Sequence, residues 1–444
     1  MKKFRCAAIA LALCLPGSGA ASSPGRFGPA GSPARESTAA AQTPSAQVTQ
    51  ELASPDRAVR LRAVRLLKDA ASPEAALPLV AAITDVDDEV QVEAIAAALN
   101  IFLAQKIVTR KRVALVIEVR NQVAAESAFS QGPLAIGPRP VPSELLMALR
   151  AAAQDTNPRV AVEALYAFGV LAVEPGGARR RELLRTTGPA LIAMVGAADP
   201  SHRYAAVRVI GRLFERRTPD EPVDTTLGDA IVGVLNDGDR NIRGAAMQAL
   251  GAMGYERAVQ ALSDQFLYFG RGDLAEAALD AVARIAHPAS ATLLAAQLAS
   301  KSAGLKAIAI EGLVRMGDRS RLPGIEAAMA GESGDAVLLA GTFASIVLGD
   351  RPIDALAEGL RRPRQAAQTR RYLIELAPGR TAAFGRFAQD PDAAIRAGVA
   401  DVLGLAGDLA ALPLVESLLR DRDPQVVLSA ERAVARLQAI RRAE

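Results

Sequence analysis

From about residue 47 onward, apolar residues recur at every third and fourth position, Ala and Leu abound, and alternating β-branched runs are missing. This period lines apolar side chains along one face of successive helices. Gly and Pro interrupt the pattern every 12 to 20 residues and mark the turns. On a longer scale the pattern copies itself. ITDVDDEVQVEAIAAAL (83–99), AQDTNPRVAVEALYAFGVL (153–171), AQDPDAAIRAGVADVLGLAG (388–407) and LRDRDPQVVLSAERAVARL (419–437) share one plan. Each has an acid-rich turn, an apolar anchor, small residues and a second apolar stripe.

With the anchor as reference, units fall at Val59, Val90, Val160, His202, Ile242, Leu274, Leu305, Val337, Ile395 and Val426, and seven of the nine gaps span 31 to 42 residues. The gap of 58 after Val337 holds a degenerate unit near Gln365, and the gap of 70 after Val90 is expected to hold an irregular unit plus an insertion. About eleven units result. Four residues past the anchor the side chain is small (Ala63, Ala94, Ala164, Ala206, Ala246, Ala278, Ala309, Ala430), and eight past it is apolar (Leu67, Phe168, Ile210, Leu250, Leu313, Leu403). Small residues admit a neighbouring helix and the larger ones fill the seam. A helical hairpin of this kind cannot bury its apolar face alone, so stacking is required.

The turn of residues 235–254 first suggests a metal loop, with Asp237, Asp239 and Asn241 alternating. The sixth position of that loop is Ile242 instead of Gly, and the twelfth is Gln248 instead of Glu, so calcium is not expected. The same acids recur as Asp85/Asp87, Asp155/Asn157, Asp390/Asp392 and Asp421/Asp423, each pair just before a helix. A short carboxylate there caps free N–H groups and suits the positive end of the helix dipole.

Asp237, Asp239, Ile242, Arg243, Ala246, Leu250, Gly251 and Gly254 carry a resemblance to the HEAT repeat family, in particular the bacterial HEAT-like repeats named after phycobilin lyases, over residues 50–440. The resemblance implies an all-α fold, a right-handed α-solenoid whose concave face binds a protein or peptide. It also implies that Arg60, Arg203, Arg243 and Arg396, each one past an anchor, run as a ladder to aspartates of adjacent units. Phycobilin lyases are an enzymatic precedent for the fold, but the resemblance transfers no catalytic residue and no cofactor.

Where the array breaks its own rule, stacking no longer explains the residues. Residues 106–143 fit no unit and read as a helix followed by a proline-rich loop, either an arm that touches a partner or a plain insertion. FLYFGRGDL (266–274) replaces an acidic turn: Phe269 stands where Asp237 stands one unit earlier, and Arg271 where Asp239 does. Phe266, Tyr268, Phe269 and Arg271 are candidate partner-binding residues because aromatics and Arg populate binding hot spots, in a chain only 4% aromatic. The competing reading is that the phenylalanines plug the core. Residues 361–386 hold seven arginines, Arg364, Arg370 and Arg371 among them, against Glu375 alone. That basic face suits an anionic envelope lipid or polysaccharide, or else is solvated beside acidic neighbours. His202 at an anchor reads as a core histidine, and His287 lies in an inter-unit turn.

Residues 1–20 read as a secretory signal peptide: Lys2, Lys3 and Arg5, a short apolar run, then small residues. Residues 21–47 form a Pro/Gly/Ser/Ala-rich tether ahead of a solenoid at 48–440. Loss of the signal removes Cys6 and Cys14, lowers the net charge from +4 to +1, and leaves no basic field for nucleic acid. Lipid anchoring through Cys14 is disfavoured by Leu13 before it. No second apolar run is long enough for a membrane span. HExxH, phosphate-loop, GxSxG and paired-cysteine motifs are missing. The expectation is a periplasmic or secreted, non-catalytic scaffold without cofactor. An anionic-envelope binder and a lyase-like enzyme or enzyme accessory are the alternatives.

Overall fold

A computed structural model describes residues 46–103, 124–132, 136–137, 139, 141–172, 177–215 and 223–443. The signal peptide, the tether up to residue 45 and most of the 106–143 insertion lie outside the described residues. The first helix begins at Ala46, inside the expected tether.

All regular elements among the described residues are helical, apart from one isolated antiparallel bridge between Leu103 and Ile136. The chain is an α-solenoid. Among the described residues its eleven long second helices are Arg57–Ala70, Asp88–Phe102, Pro158–Leu171, Pro200–Phe214, Arg240–Met253, Asp273–Ile285, Ala303–Arg315, Asp335–Val347, Pro363–Leu376, Ala393–Ala406 and Pro424–Ala443. Each packs on the next, and shorter first helices such as Leu79–Ile83, Thr225–Gly233 and Leu412–Ser417 form the second layer.

The core follows the repeat. Ile242, Ala246 and Leu250 are all fully buried, because the anchor and the positions four and eight beyond it share one face. Nine past the anchor, glycine sets how close the long helices come. A Cβ on Gly251 would stand 2.8 Å from the Ala281 Cα, and one on Gly404 2.5 Å from the Ala433 Cα. Any side chain there would force the stack apart.

The degenerate unit near Gln365 is the helix Pro363–Leu376. Among the described residues no irregular unit separates Val90 from Val160. Asp88–Phe102 packs directly on Pro158–Leu171, and Gln91 Nε2 donates to Asp155 Oδ2 at 3.1 Å. What the described part of the insertion forms is Ala124–Ser130, seven residues long, which lies against Pro158–Leu171 instead of within the stack. His202 is half-buried, and its Nε2 is buried without a hydrogen bond, so no backbone group satisfies that nitrogen. His287 Nδ1 accepts from the Ala289 amide at 3.2 Å and caps its turn.

Candidate interaction surface

The two acids of each turn divide the work. Asp237, Asp390 and Asp421 accept from the amides of Asp239, Asp392 and Asp423 at 2.8, 2.8 and 2.9 Å. Asp239, Asp392 and Asp423 then cap their helices by accepting from the amides of Asn241, Ala394 and Gln425. Asp87 caps through the amides of Glu89 and Val90. Each first acid also receives a guanidinium from another unit. Arg203 reaches Asp237 at 2.8 and 3.2 Å, Arg396 reaches Asp421 at 2.7 and 2.8 Å, and Arg60 reaches Asp85 at 2.7 and 2.8 Å. The Arg203 and Arg396 hydrogen bonds hold the Asp237 and Asp421 carboxyls below the usual carboxylate range. Gln91 with Asp155 and Lys306 with Glu332 continue the line. At Arg243 it stops. Phe269 occupies the aspartate position with its ring centroid 5.7 Å from the guanidinium, and Arg243 Nε is buried without a hydrogen bond.

A second line runs six residues past the anchors, through Tyr166, Arg208, Gln248, Asp280, Glu311, Phe343, Asp401 and Arg432. Neighbours in it touch: Arg208 donates to the Tyr166 hydroxyl at 3.1 Å, and Arg432 to Asp401 at 3.1 Å. On this stripe rests the helix Ala124–Ser130. The Ala125 amide donates to buried Glu163 at 3.1 Å, and Glu126 accepts from Arg208 at 2.6 Å. Phe129 lies under two guanidinium groups, Arg208 at 5.0 Å and Arg212 at 4.5 Å, while its carbonyl accepts from Arg212 at 2.9 Å. Tyr166 and Tyr204 complete the cage around Arg208, at 5.3 and 5.2 Å. Burial pushes the Tyr166 hydroxyl up and the Arg212 guanidinium down.

Farther along, the stripe is tied across two units. Arg315 donates to both Glu375 oxygens at 2.8 and 3.0 Å, although the helix Asp335–Val347 lies between their helices in the chain. Buried Glu311 accepts from the Tyr372 hydroxyl, and Phe343 stacks on Tyr372 at 4.6 Å and 6°. Burial first, and Glu311 second, push the Tyr372 hydroxyl up. Between the covered stretch and this knot, Asn241, Gln248, Glu276 and Arg284 are exposed.

The turn that replaces the acids is divided in another way. Phe266 is core, whereas Leu267 is 66% and Tyr268 83% exposed. Phe269 is half-buried and meets Tyr268 edge-on at 5.1 Å. Gly270 and Gly272, with φ of 66° and 87°, turn the chain in the left-handed half of backbone space, which leaves Arg271 exposed between them. Arg240 is paired with Asp273 at 2.5 Å.

Residues 188–268 match the sequence family described as HEAT repeats. That stretch of the α-solenoid is similar in sequence to HEAT repeats. No curated protein matches its sequence. Similar solved structures include an engineered protein (17% identity, 88% of this chain and 98% of that one, TM-score 0.43). A designed armadillo repeat protein is 18% identical over 61% of this chain and 98% of its own, with a TM-score of 0.36. Kap95p, solved with RanGDP, is 15% identical over 88% of this chain and 50% of its own, with a TM-score of 0.35.

In this α-solenoid the arginines of 361–386 do not form one face. Arg361 pairs with Asp390 at 2.8 Å and with Glu358 at 3.2 Å, and Arg386 pairs with Asp354. Arg364 and Arg371 are exposed on Pro363–Leu376, whereas Arg370 on the same helix is half-buried with Nε buried and unbonded. Arg380 and Arg386 line a depression of 610 Å³ together with Asp350, Arg351 and Asp354. Among the described residues, no group of three His, Cys, Asp or Glu side chains could hold a metal, and no helix is long and apolar enough to cross a membrane. Glu163, Tyr166, Arg208 and Arg212 escaped the sequence reading. Tyr166 and Arg208 lie in the column six past the anchor, which mixes aromatic, cationic, acidic and amide types where the anchor column is apolar except at His202; Glu163 and Arg212 stand outside it.

Proposed function

We propose that this α-solenoid is a HEAT-repeat, non-catalytic scaffold that binds a protein or peptide along the stripe of its long helices, working outside the cytoplasm after loss of residues 1–20. The observation that carries the reading is the helix Ala124–Ser130, held on that stripe by Arg208, Arg212 and Glu163. A surface that grips one helical segment through a carboxylate, an aromatic ring and a main-chain carbonyl has the chemistry to grip another. The closest backbone approaches, Gly251 on Ala281 and Gly404 on Ala433, are between long helices, so we take this layer as the concave one. The anionic-envelope alternative is narrowed to the exposed Arg364 and Arg371, because Arg361 and Arg386 are already paired.

Photo-crosslinking residues placed at Gln248 and Arg284 test the reading in cells, with exposed Met147 on a first helix as the control. Adducts from the first two positions and none from Met147 are expected. Adducts from Met147 alone would sink the proposal. Export is tested separately: N-terminal sequencing of the extracytoplasmic form is expected to begin just after residue 20.

A further inference from the structure

We propose that the turn Phe269–Asp273 is a ladder rung completed by a partner. A segment of another protein that carries an aspartate or glutamate beside an apolar side chain docks there, its carboxylate on Arg243 and Arg271 and its apolar neighbour on Leu267 and Tyr268. The proposal assumes a protein-binding chain but does not depend on the long-helix stripe.

The rungs formed by Arg60, Arg203 and Arg396 each end on an aspartate that accepts two bonds from one guanidinium. Arg243 has the same place in its unit and finds an aromatic ring instead, with its Nε buried and unbonded. A ring face attracts the cation but accepts no in-plane N–H bond, so a carboxylate remains the better ligand. Arg271 makes no ion pair among the described residues, and the one acid of the turn, Asp273, is engaged by Arg240. The charge at this turn is therefore complementary to an acidic segment and not to a basic one. The apolar part is also particular. Among the exposed large hydrophobics of the described residues, Leu267 and Tyr268 are the one adjacent pair, and the others stand at separated positions such as Leu77, Val86 and Met147. Single exposed apolar residues need no explanation, whereas an aromatic pair flanked by arginine has the composition of a binding hot spot. The backbone of the turn is open, since nothing lies within 4 Å of a Cβ built on Gly270 or Gly272.

The test is a fluorescence-anisotropy titration of the full chain with a terminally blocked, labelled peptide of alternating Asp and Leu, beside its Lys and Leu counterpart. Saturable binding with a Kd on the order of 100 μM is expected for the acidic peptide and none for the basic one. Arg271→Ala and Tyr268→Ala should each weaken it about fivefold or more. Phe269→Asp restores a carboxylate to the rung from within, so it should weaken peptide binding while raising Tm, which separates lost binding from lost folding. The double variant Arg364→Ala with Arg371→Ala should bind as the parent does. Equal binding of the basic peptide, an unchanged affinity in Phe269→Asp, or loss of binding in the 364/371 variant would overturn the proposal. So would concentration-dependent self-association abolished by Tyr268→Ala, which would make the occupant a second copy. Peptide binding here without crosslinks at Gln248 and Arg284 refutes the stripe alone, and the reverse result refutes this turn alone.

Discussion

Arg396 donates to both Asp421 oxygens and, through its third nitrogen, to the carbonyls of Asp390 and Pro391, with the two side chains only 7% and 9% exposed. A surface ion pair would contribute little. A largely buried guanidinium that satisfies four acceptors is different, since its removal strands an aspartate and two carbonyls. Arg396→Ala should therefore lower stability by about 2 kcal/mol in urea denaturation. Arg243→Ala, which loses a ring contact, should cost under about 1 kcal/mol. Equal losses for the two would refute the distinction. The same pairing predicts an acid response. Asp421 has its folded pKa depressed by Arg396, so its contribution is fully present above the unfolded value of about 3.9 and is lost as pH falls through the lower folded value. Thermal melts should show parent stability dropping between about pH 5 and pH 2. Asp421→Asn should be weaker at neutral pH and show a flatter acid dependence.

At the scale of helices, two different forces place the elements. Stacking of the long helices depends on close backbone approach. Gly404→Val should destabilise severely because its Cβ alone would stand 2.5 Å from the Ala433 Cα, whereas Gly238→Ala meets nothing within 4 Å and should be nearly neutral. Circular dichroism melts of the pair check this. The helix Ala124–Ser130 is held instead by charge and aromatic contacts at its tip. Phe129→Ala removes the ring between Arg208 and Arg212, and hydrogen exchange should then rise in 124–130 while Pro200–Phe214 stays protected. Loss of protection in both segments would mean that the short helix is an integral support and not a seated ligand.

For the whole molecule, a stack of units with neighbour contacts alone behaves as a one-dimensional array. The bond from Arg315 to Glu375 adds a contact between helices two units apart. Arg315→Ala should therefore broaden the urea transition and lower its apparent slope, as the two halves uncouple. An unchanged slope with a shifted midpoint would make the pair a local contact only. The sequence by itself determined the helices, the buried faces and the capping acids, because each rests on spacing within one unit: Ile242, Ala246 and Leu250 share a face by helical period alone, and Asp239 lies two residues from the amide it caps. Only the tertiary structure decided that Arg243 faces a ring, that Arg361 and Arg386 are already paired, and that Phe129 lies between Arg208 and Arg212, about 80 residues further along the chain. Those contacts join separate units or the insertion, and a period within one unit carries no information about which side chain of another unit arrives beside it.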